Sequence, residues 1–171
     1  MKKLTYLLVL VVSACPYLHA QTGVYGAFSA SNYNLPNIGW QYGPTFGLYA
    51  DPFGVPFVKA GVDLRETLAG TGSTQRVDSY LGGARVQLHP HVVPVMPYAE
   101  ALAGLAHVNV GQGFALTNGN GFEYQLLGGV DVTVAPHLDW RAVEYSWGQI
   151  RVSGENFNPQ TVSTGIVVRL P

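Results

Sequence analysis

The segment from Gln160 to Leu170 constrains the fold more than any other part of this chain. Its side chains alternate with a period of two, so that an apolar face and a more polar face share one segment. The apolar face comprises Val162, Thr164, Ile166, Val168 and Leu170, and the other face comprises Thr161, Ser163, Gly165, Val167 and Arg169. The pattern predicts a β-strand with one side suited to lipid and the other suited to water.

The same alternation recurs along most of the chain. It is clear in residues 58–65, 80–89 and 122–134, and weaker in residues 22–33, 40–51, 96–108 and 138–148. In residues 22–33 the pattern leaves open whether Val24 and Phe28 or Tyr25 and Tyr33 face outward. Together with the C-terminal strand, these segments predict an all-β fold of eight strands.

The connections alternate in length. Short links that contain proline or glycine are predicted around residues 51–54, 89–91 and 135–137, whereas longer, more polar links span residues 68–76, 109–121 and 149–159. Short turns at one end and longer loops at the other are typical of bacterial outer-membrane barrels, whose short turns lie in the periplasm. We therefore predict an eight-stranded antiparallel up-and-down transmembrane β-barrel.

Composition excludes several other classes of protein. Charged residues make up 11% of the 171 residues, against about a quarter in soluble globular domains. The formal net charge of -1 argues against a nucleic-acid-binding surface. After Ala20 no stretch of the sequence is long and apolar enough for a transmembrane helix.

The first 20 residues read as a signal peptide. Lys2 and Lys3 precede an apolar stretch, residues 4–14, and a small-residue cleavage site follows, with cleavage expected after Ala20. Residues 21–171 would then form the barrel domain, without a cysteine for a disulfide or a metal site. An alternative is a lipoprotein processing box at residues 12–15, which would leave Cys15 lipidated.

Charged residues fall on the polar face of the predicted strands. An eight-stranded barrel is just wide enough inside to be filled by side chains, so these charges must pair with one another or with trapped water. We predict a network of charges in the lumen, made of Lys59, Asp63, Arg65, Arg85, Glu100, Glu123, Asp131, Glu144 and Arg169. Alternation places Arg141 on the lipid side with Val143, unless a bulge turns it inward.

Aromatic residues cluster on the apolar face of the predicted strands, near the end that carries the longer connections. This position is typical of an interfacial aromatic girdle. The predicted girdle comprises Trp40, Tyr42, Tyr80, Phe122, Tyr124, Tyr145 and Trp147.

The signal peptide, the strand pattern and the closing strand together resemble a known family. Ser163-x-Gly165-x-x-Val168-x-Leu170 resembles the C-terminal assembly signal of outer-membrane barrels, although Leu170 and Pro171 replace the usual final aromatic residue. Residues 97–107 and 140–145 resemble segments of outer membrane β-barrel domain proteins of Gram-negative bacteria, within the OmpA-like transmembrane domain superfamily. The resemblance implies a cell outer-membrane location, contact with outer-membrane lipid and lipopolysaccharide, insertion by the barrel-assembly machinery, and a monomeric state.

No histidine pattern in the sequence predicts catalysis. His89, His91 and His137 fall in predicted turns, and His107 lies near the opposite rim without a His-x-Ser motif. We therefore expect no catalytic residues, no cofactor and no metal site, and a structural or surface-interacting role. A narrow ion-conducting channel and a lipid A-modifying enzyme are the alternatives.

Overall fold

A computed structural model describes residues 21–34, 39–70, 75–90, 93–110, 119–152 and 155–170. The predicted signal peptide, with Cys15 and the cleavage site after Ala20, lies outside the described residues, as do parts of the predicted loops at 68–76, 109–121 and 149–159 and of the turn at 89–91. Among the residues that are described, no helix is long and apolar enough to cross a membrane.

The described residues form antiparallel strands joined in chain order. The strands are β1 (Gln21–Asn32), β2 (Gln41–Val55), β3 (Val58–Ala69), β4 (Gln75–Leu88), β5 (Val95–Val110), β6 (Gly119–Ala135), β7 (Leu138–Val152), β8 (Glu155–Phe157) and β9 (Gln160–Leu170).

Each long strand pairs with its two neighbours, and the sheet closes on itself. β9 pairs with β7 on one side and with β1 on the other, for example Trp140 with Ile166 and Val24 with Val168. Among the described strands, β8 is a three-residue extension that pairs with the end of β7. The predicted eight-stranded antiparallel barrel is therefore confirmed. Its wall consists of strands β1 to β7 and β9.

We call the end with the longer connections the loop end, and the opposite end the turn end. At the turn end, β2–β3 and β6–β7 are joined by Pro56-Phe57 and Pro136-His137, and in each pair the second residue has a positive φ. A fixed proline φ followed by a positive φ is the geometry of a type II turn. The turn predicted at residues 51–54 is wrong, because β2 continues through Pro52 to Val55.

The barrel wall separates apolar from polar side chains. Val24 and Phe28 face outward and are 40% and 59% exposed, whereas Tyr25 and Tyr33 point inward and are both 5% exposed. This resolves the ambiguity that the sequence leaves in β1. Large aliphatic and aromatic side chains cover the outside, and carboxylates and arginines are buried within, which is the reverse of a water-soluble domain.

The lipid-facing position that simple alternation predicts for Arg141 is wrong. The pairing of β7 with β9 shifts register between Arg141 and Glu144, as expected where an extra residue forms a β-bulge. Two residues separated by three positions can then both point inward. The Arg141 side chain lies in the lumen and is fully buried.

Candidate functional site: the interior of the barrel

A layer of ion pairs crosses the middle of the lumen. We call it the central ion layer, and it comprises Arg65, Arg85, Arg141, Asp63, Glu100, Asp131 and Glu144. Every one of these side chains is buried.

Arg65 joins opposite walls of the barrel. Its Nη1 and Nη2 atoms donate to the two carboxylate oxygens of Glu144 at 2.7 and 2.8 Å. Nη2 also lies 3.3 Å from Oε2 of Glu100. A bidentate arginine–carboxylate contact fixes both the distance between the two groups and their relative orientation. This pair therefore connects β3 to β7 across the lumen.

Arg85 and Arg141 extend the layer towards the turn end. Arg85 donates to a carboxylate oxygen of Glu100 and to Oδ2 of Asp131, the latter at 3.3 Å. Arg141 donates to Oδ1 of Asp131 at 3.0 Å and to Oε2 of Glu144 at 3.2 Å. Asp131 and Glu144 each accept hydrogen bonds from two arginines, so the charges form one connected network.

Tyrosines pack around the charges of the central ion layer. The hydroxyl group of Tyr98 donates to Oε2 of Glu144 at 2.6 Å, and that of Tyr25 donates to Oδ1 of Asp63 at 2.9 Å. The Arg85 guanidinium lies 4.2 Å from the ring centroids of both Tyr49 and Tyr98. Stacking on aromatic faces stabilises a desolvated guanidinium.

Two further layers lie between the ions and the loop end. Ser29 is hydrogen-bonded to Ser163 and Thr45 at 2.8 and 2.6 Å, and Thr45 continues to Thr67 at 3.1 Å. Beyond these hydroxyls most side chains in the lumen are apolar, although the buried pair Ser31 and Thr161, 2.8 Å apart, and Glu123, which is opposite Ile150, lie among them. We call the apolar cluster the outer plug; it comprises Tyr33, Ala69, Val77, Ala106, Val108, Ile150, Val152 and Phe157.

Three predicted members of the lumen network lie apart from the central ion layer. Near the turn end, Lys59 donates to the side chain of Gln21, and Nε of Arg169 lies 3.0 Å from Oδ2 of Asp139. Glu123 accepts a hydrogen bond from Gln125 at 2.6 Å, nearer the loop end. Two further acids, Asp51 and Asp139, are buried in the lumen but were not predicted to belong to the network.

The described residues at the turn end surround a cavity. Its volume is about 380 Å³, and its walls include His89, Met96, Thr133 and Arg169. The lumen is therefore asymmetric, with mostly apolar packing at the loop end, ion pairs in the middle and a cavity of mixed polar and apolar lining at the turn end.

All seven aromatic residues predicted as a girdle lie on the outer wall near the loop end. Six of these side chains are 41 to 53% exposed, and Tyr124 is partly buried. A second aromatic group, not predicted from the sequence, lies at the turn end and is formed by Phe53, Phe57 and Trp140. Phe57 lies in the β2–β3 turn, which was predicted too early in the chain, and Phe53 lies near the end of β2 just before that turn.

Within the described part of the chain, no group of three or more His, Cys, Asp or Glu side chains is arranged to hold a metal ion. His107 faces the outside of the barrel, and its Nδ1 atom is hydrogen-bonded to Oδ1 of Asn120 at 2.8 Å. Ser146 is buried in the lumen. The barrel wall therefore separates His107 from Ser146.

No protein-family profile and no curated protein matches the sequence. Solved structures do match. Neisserial surface protein A is 19% identical, with a TM-score of 0.59, over 88% of this chain and 97% of that one. Ail, the attachment invasion locus protein of Yersinia pestis, is 11% identical, with a TM-score of 0.53, over the same shares of each chain.

An enzyme also shares this architecture. The outer membrane enzyme PagL is 15% identical, with a TM-score of 0.50, over 87% of this chain and 98% of that one. At these identities the likeness concerns the fold. A closed barrel with an apolar outside, an ionised inside and these structural relatives has the fold of the small, OmpA-like outer-membrane β-barrels.

Proposed function

We propose that this chain is a non-conducting, non-enzymatic barrel of the bacterial outer membrane, with its loop end outward and a structural or surface-interacting role. Two structures with this fold, Neisserial surface protein A and Ail, the attachment invasion locus protein, support the surface part of the proposal. We also propose that the chain is exported by its signal peptide, inserted by the barrel-assembly machinery, and monomeric.

The observation that carries the proposal is the filled lumen. Arg65 spans from β3 to Glu144 on β7, and Arg85 and Arg141 occupy the remaining width beside Asp131. An ion that crossed this layer would have to separate buried partners, and the loss of one partner of a buried pair costs about 3–5 kcal/mol. The outer plug adds an apolar barrier beyond it.

Conductance in a planar lipid bilayer tests the closed lumen. We expect no discrete current steps from the purified, folded protein, because the central ion layer and the outer plug block the path. An open porin reconstituted in the same way serves as the positive control. Reproducible unitary steps that require the folded protein would establish the ion-channel alternative and overturn this proposal.

The lipid A-modifying alternative rests on the shared fold with PagL alone. His107 points outward at the loop end with Asn120 as its hydrogen-bond partner, and Ser146 lies on the other side of the wall. We therefore expect unchanged lipid A in cells that overexpress the chain, measured by mass spectrometry of extracted lipid. A mass shift that is lost in a His107→Ala variant would establish an enzyme instead.

A further inference from the structure

Asp51 is a buried carboxylate that lacks a hydrogen-bond donor. Its side chain lies in the lumen near the turn end and is 4% exposed. Within the described part of the chain, neither of its carboxylate oxygens accepts a hydrogen bond. Nε of Arg85 lies 3.9 Å from Oδ2, which is beyond hydrogen-bonding distance, and the other nitrogens of Arg85 bind Glu100 and Asp131. A buried carboxylate needs closer compensation than this.

The lumen also holds more negative than positive charge. Between the central ion layer and the turn end, the described residues provide six carboxylates and five cations. The carboxylates are Asp51, Asp63, Glu100, Asp131, Asp139 and Glu144, and the cations are Lys59, Arg65, Arg85, Arg141 and Arg169. Glu123, nearer the loop end, is a further acid. One more cation near Asp51 would balance the charges in the middle and at the turn end.

Strand register places Gln21 directly opposite Asp51. β1 begins at Gln21, and the Cα atoms of these two residues are partners in the β1–β2 ladder. Directly opposed residues of an antiparallel pair have Cα atoms about 4.5–5.5 Å apart, and a backbone nitrogen lies about 1.5 Å from its own Cα. The backbone nitrogen of Gln21 is therefore within reach of the Asp51 carboxylate.

The side chain of Gln21 already has a partner. Lys59 on β3 donates a hydrogen bond to its carbonyl oxygen. Gln21, Asp51 and Lys59 thus belong to three adjacent strands, with Asp51 on the middle one. The group of Gln21 that remains to face Asp51 is its backbone nitrogen.

Removal of the signal peptide changes the chemistry of this nitrogen. In the precursor it is a peptide N–H, which is neutral and donates once. Hydrolysis of the Ala20–Gln21 bond consumes one water, leaves a carboxylate on Ala20, and leaves an amine on Gln21 that is mostly protonated at neutral pH. The same nitrogen then carries a positive charge and three N–H donors.

We propose that the Asp51 carboxylate binds the N-terminal ammonium group of the mature chain, which forms on Gln21 when the signal peptide is removed. The ion pair supplies the missing cation and joins the first residue of β1 to β2. Because β1 also pairs with β9, the pair lies beside the strands that close the barrel. The lumen therefore acquires its full set of charges only after export. This inference rests on the proposed export and on cleavage after Ala20.

Acetylation of the N-terminal amine in the folded mature protein tests the ion pair. Protein from the outer membrane is treated with an amine-reactive acetyl ester, and mass spectrometry of the N-terminal peptide gives the rate at Gln21. The wild-type amine should react about tenfold more slowly than the amine of Asp51→Asn, a difference of about 1.4 kcal/mol. The reason is that a bound ammonium must leave its carboxylate and lose its proton before it reacts. Equal rates would overturn the proposal.

Asp139→Asn is the matched control for Asp51→Asn. It removes the other buried acid near the turn end, and it should leave the acetylation rate at Gln21 unchanged. An equal acceleration in both variants would show a general loosening of the lumen and would contradict a specific pair with Asp51.

A second comparison leaves Asp51 intact. A refolded chain that begins at Ala20 carries its ammonium one residue further along the strand, about 3.4 Å away. Its amine should be acetylated at the faster rate of Asp51→Asn, with the wild-type protein unfolded and refolded in the same way as the reference. Protection of the Ala20 amine equal to that of Gln21 would overturn the proposal.

The mass of the N-terminal peptide separates this inference from the processing step on which it rests. We expect an open Gln21, because Lys59 and Asp51 hold the two groups that would have to join in cyclisation. A mature chain that begins elsewhere, or that carries lipid on Cys15, would remove the cleavage site and the ion pair together. A cyclised Gln21, which has lost ammonia and holds no ammonium, would remove the ion pair alone. Absence of the protein from the outer-membrane fraction would instead contradict the proposed function.

Discussion

Glu144→Gln is expected to lower the free energy of unfolding by about 3–5 kcal/mol, the range seen when one partner of a buried ion pair is removed. Glu144 is buried and accepts hydrogen bonds from Arg65, Arg141 and Tyr98. The amide keeps the size of the side chain but removes its charge, which leaves two guanidinium groups undercompensated. Urea-induced unfolding in detergent or lipid, followed by tryptophan fluorescence, measures the change.

Glu66→Gln is the matched control for Glu144→Gln. Glu66 faces outward near the loop end and is partly exposed, so the same chemical change should stay within about 0.5 kcal/mol. Equal effects of the two substitutions would mean that the central ion layer does not stabilise the barrel.

Gly129→Ala is expected to destabilise the barrel by about 1–3 kcal/mol, the usual cost of overpacking a filled interior. Gly129 on β6 lies directly opposite Tyr98 on β5. A Cβ atom added there would lie 2.5 Å from the hydroxyl oxygen of Tyr98, the same hydroxyl that donates to Glu144. The ring would have to move and would loosen the central ion layer.

The adjacent glycine provides the control for Gly129→Ala. Gly128 faces outward, and a Cβ atom added there would have its nearest neighbour at 3.7 Å. We expect Gly128→Ala to change stability by less than about 0.5 kcal/mol. Thermal or urea unfolding of the two single variants compares neighbouring positions on opposite sides of one wall, and a larger loss for Gly128→Ala would contradict the assigned faces.

The same arrangement recurs elsewhere in the lumen and could not be predicted from the sequence. Tyr49 lies opposite Gly23, and Tyr25 lies opposite Gly47, with the tyrosine ring over the glycine in each case. The glycines make room for rings that would otherwise collide with the neighbouring wall. Alternation gives the side of each residue but not its cross-strand partner, because the partner depends on register.

Alternation predicted the fold because, over most of a strand, one face contacts only lipid and the other faces only the lumen. Lys59, Asp63 and Arg65 share one parity with no interruption, so one rule places all three inward. Arg141 breaks the rule because the register of β7 shifts between Arg141 and Glu144. A bulge needs no glycine or proline, so its sign in residues 138–148 is an arginine that alternation places among lipid-facing side chains.

The turn predicted at residues 51–54 is wrong because residues that favour turns also occur within a strand. Pro52 and Gly54 are residues that favour turns, yet they lie within β2, next to a register shift between Ala50 and Phe53. The irregularity accommodates the proline, and the strand continues for several residues towards the turn end. Asp51 consequently lies in the lumen instead of in a turn.

Contacts between lipid acyl chains and individual methyl groups test the central claim most directly. In methyl-labelled protein reconstituted in lipid nanodiscs, nuclear Overhauser effects from the acyl chains should reach Leu126 and Val168, which are 54% and 41% exposed. They should be absent from Leu127 and Val167, the neighbours that are 6% and 0% exposed. Lipid contacts at Leu127 and Val167, with none at Leu126 and Val168, would contradict a barrel whose apolar surface faces outward.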